Sequence, residues 1–122
     1  MADNRSSLMA RTAYLALEEK KAEDIKLIDI EKVSVIADYF LIASGTNRAQ
    51  MQALSENVEE QMEKKGFQIK QKEGYQSANW ILLDYGDIII HLFDRENRLF
   101  YDLERIWRDG ESITLSDLPQ ED

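Results

Sequence analysis

The sequence predicts an α/β domain, a mixed sheet of about five strands with flanking helices. Three observations carry that prediction. Two stretches, at 8–21 and 48–65, repeat apolar residues at helical intervals among strong helix formers. Shorter runs between and after them are β-branched or aromatic and of strand length. Gly, Ser, Asn and Asp punctuate the chain where one kind of stretch gives way to the other.

Taken in order, the first helix follows Ser6 or Ser7, either of which is placed to cap it. Leu8, Thr12, Leu15 and Glu19 line one side, while Met9, Ala13, Ala16 and Leu17 widen its apolar face. Residues 25–30 alternate and are β-branched, a strand; 31–38 are less regular. Tyr39-Phe40-Leu41-Ile42-Ala43 is a continuous apolar run, as expected of a strand covered on both faces. Ser44-Gly45-Thr46-Asn47 turns the chain into the second helix, where Asn47 and Gln50 have the spacing of a capping-box variant. Met51, Leu54, Val58 and Met62 form its buried stripe, Glu60 and Lys64 a favourable pair one turn apart, and Gly66 its stop. Residues 67–72 alternate apolar and polar, which predicts a strand exposed on one face near a sheet edge, and 74–77 are loop. From 79 to 93, two apolar runs flank Asp84-Tyr85-Gly86-Asp87, a β-hairpin with two carboxylates at its turn. After a polar break, Asp102 caps a short helix holding Leu103, Ile106 and Trp107, which Asp109-Gly110 ends. The predicted order is α-β-β-α-β-β-β-α, with residues 1–108 a single domain. Residues 109–122, with five acidic side chains, no basic one and the chain's only proline, read as a loosely held tail.

The 122 residues suffice for one domain with its own core. With no cysteine, disulfides, thiolate metal sites and a cysteine nucleophile are excluded. No run is long enough to span a bilayer, and the first residues carry neither an export nor a transit composition, so the expected location is cytoplasmic. The net charge of −9, from 24 acidic against 15 basic side chains, disfavours nucleic acid and anionic lipid and suits a basic protein partner.

Candidate chemistry is thin. The turn at 44–47 lies between a strand and a helix amino terminus, where phosphates are often held, but it matches neither the P-loop nor the dinucleotide fingerprint. A nucleotidyltransferase fold opens in the same way and places two metal-binding carboxylates on the following strand. Here that strand reads Ile69-Lys70-Gln71-Lys72, which cannot cage a hard divalent cation. His91, the only histidine, shares a strand face with Ile89 and Phe93 and has no second histidine to complete a metal site. Asp84 and Asp87 flank a turn, where carboxylates are usually solvated. No catalytic, metal-binding or cofactor-binding residue is therefore assigned. Trp80, Tyr85 and Tyr101 cluster among acidic residues, and amphipathic aromatics beside charge are what protein interfaces use as anchors.

Four phrases carry a family resemblance: 38–48, Asp-Tyr-Phe-Leu-Ile-Ala-Ser-Gly-Thr-Asn-Arg; 57–60, Asn-Val-Glu-Glu; 80–93, Trp-Ile-Leu-Leu-Asp-Tyr-Gly-Asp-Ile-Ile-Ile-His-Leu-Phe; and 100–107, Phe-Tyr-Asp-Leu-Glu-Arg-Ile-Trp. Long and in order, they resemble the ribosomal silencing factor family, RsfS, also called Iojap. The resemblance implies a nucleotidyltransferase-like fold without catalytic carboxylates and a non-enzymatic role. It implies docking on the large ribosomal subunit at its protein number fourteen, which blocks joining of the small subunit and lowers translation when nutrients are scarce. Similar proteins in organelles take part in large-subunit assembly, and family members form homodimers. With that partner, Trp80, Tyr85, His91, Asp84 and Asp87 are expected to form most of the docking face, with Asp38, Tyr39, Tyr101 and Asp102 as further members. A large-subunit assembly factor and a degenerate nucleotide-binding protein are the alternatives.

Overall fold

The computed structural model describes residues 4–32, 34–95 and 110–118. Its elements are α1 (Asn4–Glu19), β1 (Glu23–Asp29), β2 (Tyr39–Gly45), α2 (Arg48–Lys64), β3 (Gln71–Glu73), β4 (Trp80–Asp84), β5 (Ile88–Asp94) and β6 (Glu111–Ile113), followed by a 3-10 turn at Leu115–Asp117. The strands form one six-stranded sheet in the order β3-β4-β5-β2-β1-β6. Every pair is antiparallel except the central one, β2 with β5, whose register runs from Tyr39 opposite Ile88 to Gly45 opposite Asp94.

Both helices lie on one face. The larger core forms between them and the sheet, from Met9, Ala13 and Leu17 of α1, Met51, Leu54, Val58 and Met62 of α2, and Leu41, Ile81, Leu83, Ile90 and Leu92 of the strands. A smaller cluster occupies the opposite face: Ile28, Phe40, Ile42 and Phe93, with Ile30 and Ala37 from the loop between β1 and β2. Between these two layers β2 is buried at every residue, which is why it lacks the alternation of a one-sided strand.

The second helix follows from its sequence at both ends. Asn47 is its extended N-cap, and the Asn47 side-chain oxygen accepts from Gln50 N at 2.8 Å. Gln50 Oε1 reaches back one residue further than a capping box would, accepting from Thr46 N at 2.6 Å. At the other end Gly66 takes φ +86°, so that Gly66 N donates to Glu63 O and Phe67 N to Met62 O. That paired closure needs a left-handed residue, and it turns Phe67 into the core. Between the helices, buried Asn57 donates to Ala16 O and Glu19 Oε1, both at 2.8 Å, satisfying a carbonyl near the end of α1.

Four expectations are corrected. The first helix starts at Asn4, so Ser6 and Ser7 do not cap it; both are buried within its first turns, and Ser7 Oγ lies 3.4 Å from the Tyr39 hydroxyl. Packing against β2 outweighs the modest helix propensity of serine. The strand expected at 67–72 pairs only over Gln71–Glu73, because Phe67 and Ile69 turn into the helix-side core before the ladder begins; it does lie at the sheet edge. The sheet has six strands rather than five. The additional strand comes from residues assigned to a loose tail: Glu111–Ile113 pairs with β1, Leu118 is buried, and the Arg11 guanidinium donates to Leu115 O and Leu118 O. Three polar-flanked residues carry too little pattern to be seen as a strand. The helix expected at Asp102 to Trp107 lies outside the described residues.

Candidate docking face

Alternation along β4 and β5 sorts the hairpin into two unlike faces. Ile81, Leu83, Tyr85, Ile88, Ile90 and Leu92 belong to the helix-side core. Trp80, Leu82 and Asp84 point the other way, opposite Phe93, His91 and Ile89 respectively. On this side, which carries no helix among the described residues, Leu82 and Ile89 are half-buried, and the Trp80 indole is 36% exposed although it is the largest side chain present.

The Trp80 ring is held from two directions. It stacks on Phe93, with centroids 5.2 Å apart and planes 30° from parallel, and its Nε1 donates to His91 Nδ1 at 3.1 Å. His91 in turn sits edge-on to Phe40, with centroids at 4.8 Å, and nearly parallel to Phe93 at 6.3 Å. Because Nδ1 accepts, the neutral ring carries its hydrogen on Nε2, and that nitrogen is buried with no hydrogen-bond partner among the described residues. Burial disfavours the charged form and pushes the imidazole down to about 4, so His91 is neutral near pH 7. This histidine braces an aromatic cluster. Among the described residues no group of three or more His, Asp or Glu side chains converges on a metal position.

At the turn, Asp84 Oδ1 accepts from Gly86 N at 2.8 Å, and Tyr85 N donates to Ile88 O. Asp87 O accepts from Asp38 N at 2.7 Å, and the Asp87 carboxylate lies 3.7 Å from Arg5 Nε. The structure thus brings Asp38, Asp84 and Asp87 to one end of the hairpin and Trp80 with His91 towards the other. Four residues of extended strand, about 13 Å, separate Trp80 from Asp84.

Two expected anchors are not on this surface. Tyr85 is 4% exposed within the helix-side core, and burial, aided by the charges of Glu59 and Glu63, holds its phenol well above the usual range. Tyr39 is equally buried beside Ser7; burial first, then the nearby carboxylates Asp29, Glu31 and Asp38, raise its hydroxyl. Tyr101 and Asp102 lie outside the described residues. Leu82 and Ile89, the apolar floor beside Trp80, are not among the docking residues expected from the sequence. Period-two counting from Trp80 would have found Leu82 and set Tyr85 on the opposite face.

A polar cavity of about 320 Å³ opens at the carboxyl ends of β2 and β5, lined by Thr46, Asn47, Arg48, Ser77, Asn79, Asp94 and Arg95 among others. Its donors are largely engaged. The Thr46 and Gln50 amides are taken by side chains of α2 and its cap, and the Arg95 guanidinium clasps Glu23 through 3.1 and 2.7 Å bonds. That leaves the turn at 44–48 as a cap for α2.

Comparison with known proteins agrees with the fold. The sequence model of the family described as "Ribosomal silencing factor during starvation" matches residues 3–122. The Bacillus subtilis "Ribosomal silencing factor RsfS" is 40% identical over 107 residues, covering 88% of this chain and 90% of that protein. "Protein Iojap, chloroplastic" of Arabidopsis thaliana is 33% identical over 95 residues, which make up 78% of this chain but 40% of the plant protein. Among solved structures, a Chromobacterium violaceum protein superposes with a TM-score of 0.81 at 30% identity, covering 88% of each chain. A Bacillus halodurans protein gives 0.77 at 33% identity, covering 86% of this chain and 95% of its own.

Proposed function

The chain belongs to the ribosomal silencing factor family, RsfS, and from that premise we propose that it represses translation by docking the face of its β4–β5 hairpin opposite α1 and α2 on the large ribosomal subunit. The partner is a basic ribosomal protein, number fourteen of the large subunit, and the bound domain blocks the small subunit by bulk alone. No catalytic group takes part, and the protein works in the cytoplasm. One observation carries the reading: a large aromatic ring is left one-third exposed, yet its orientation is fixed by a hydrogen bond and a stack. Anchors of protein interfaces have this character, because little ordering remains to be done on binding. Asp84, Asp87 and Asp38 supply a carboxylate border, and the chain's −9 charge favours encounter with a basic surface.

The test is sedimentation of the protein with purified large subunits, followed by addition of small subunits. Wild type should travel with the large subunit and prevent joining. Trp80→Ala should lose about thirtyfold in affinity, the scale of a central anchor. Asp87→Lys should weaken docking and flatten its dependence on salt, since part of the screened attraction is gone. Full co-sedimentation of both variants, each folded by circular dichroism, would remove the hairpin from the interface.

A further inference from the structure

We propose that His91 is a positioning residue, which holds the Trp80 indole with its N–H turned inward so that the exposed part of the ring offers only carbon to the partner. This rests on Trp80 being the docking anchor, and it adds what the partner must present there: an apolar patch, such as the aliphatic stems of basic side chains, and no hydrogen-bond acceptor for the indole.

The argument starts from what His91 costs. The ring is 6% exposed, and its Nε2 hydrogen has no acceptor among the described residues. A buried donor left unpaired is a standing penalty on the folded state. The surroundings do not demand an imidazole, for Phe40, Phe93 and Trp80 are rings against which a phenyl group would pack. What a phenyl group lacks is Nδ1, the acceptor of the 3.1 Å bond from Trp80 Nε1. A third of the Trp80 surface meets solvent, where an indole N–H is readily hydrated, so this bond serves chiefly to choose an orientation. A residue that weakens the fold while fixing one exposed side chain points to function at that side chain.

Two variants separate positioning from simple support. His91→Phe removes the acceptor and also the stranded donor. His91→Asn keeps an acceptor, since Asn Oδ1 occupies nearly the place of Nδ1, but leaves a gap where the ring was. Stability should therefore run Phe above His above Asn, with the Phe variant melting about 2 °C or more above wild type. Docking on large subunits should run His above Asn above Phe, with a loss of about five- to tenfold for Phe, the worth of one orienting hydrogen bond. In His91→Phe the Trp80 indole N–H resonance should shift and exchange faster with solvent, read by NMR in a Trp107→Phe background so that one indole is observed.

If docking follows the order of stability, or if His91→Phe docks like wild type while Trp80→Ala does not, positioning by His91 is overturned. Should His91→Asn fail to fold, wild type against His91→Phe decides the matter alone. If Trp80→Ala itself docks like wild type, the docking reading fails and the partner-directed role falls with it. The indole exchange rates report on the orienting bond in either case.

Discussion

Lowering the pH should weaken this fold, and one buried side chain, His91, should account for a large part of the loss. His91 has an ordinary value of 6.5 when the chain is unfolded, and burial takes it to about 4 in the native state. Between those values the unfolded chain binds a proton that the folded one refuses, so the free energy of unfolding falls as pH is lowered. The stabilisation is complete above about pH 6.5, is reduced by about 2 kcal/mol at pH 5, and is lost to the extent of about 3 kcal/mol as pH falls through 4. Against a total of about 5–15 kcal/mol for a domain of this size, that is a large share. The measurement is urea unfolding of wild type and His91→Phe in parallel from about pH 7 to 4.5. Carboxylates such as Glu23, held below its ordinary value by its hydrogen bond to Arg95, are common to both proteins and cancel in the difference. The gap between the two curves should widen steadily in favour of the variant as pH drops. Curves that remain parallel would show that His91 is hydrated or paired in the native state and would refute the reasoning, including the account of its unpartnered nitrogen.

Glycine replacements should separate backbone strain from crowding. Both Gly66 and Gly74 have positive φ, but a Cβ at Gly66 meets nothing within 4 Å, whereas at Gly74 it would lie 2.0 Å from the Trp80 carbonyl oxygen. Gly66→Ala should cost about 1 kcal/mol and Gly74→Ala more than about 3 kcal/mol by urea unfolding, the second also disturbing the Trp80 environment seen by fluorescence. Arg11→Ala should leave global stability within about 1 kcal/mol and raise hydrogen exchange selectively over 111–118, whose carbonyls at Leu115 and Leu118 Arg11 holds; unchanged exchange there would mean that strand pairing alone secures the segment.

What could be read from the sequence was set by how local the cause is. The caps and stripe of α2 depend on residues three or four apart, and Asn47, Met51, Leu54, Val58, Met62 and Gly66 all take the expected parts. The hairpin turn is equally local. The acidic neighbours of Tyr85 point to the surface, whereas strand alternation turns it beneath the edge of α2. Ser6 and Ser7 have capping chemistry, yet contact with a strand more than thirty residues away sets the helix start earlier. The bond from Trp80 to His91 spans eleven residues and depends on hairpin register, so neither residue alone announces it. The sixth strand is fixed by its partner β1 and by Arg11, and nothing within Glu-Ser-Ile itself distinguishes it.

That late strand has a bearing on how the chain reaches its native state. β1 pairs with β2 on one side and with β6 on the other, and β6 follows every other strand in the sequence. During synthesis the remaining five strands can assemble while β1 still shows a bare row of peptide groups beside Leu27 and Ile28. Such a row is a template for pairing with another nascent chain. Emergence of residues 111–113 closes it, so a truncation before Glu111 would turn a protected interior strand into an adhesive margin, and aggregation rather than unfolding would be its mark.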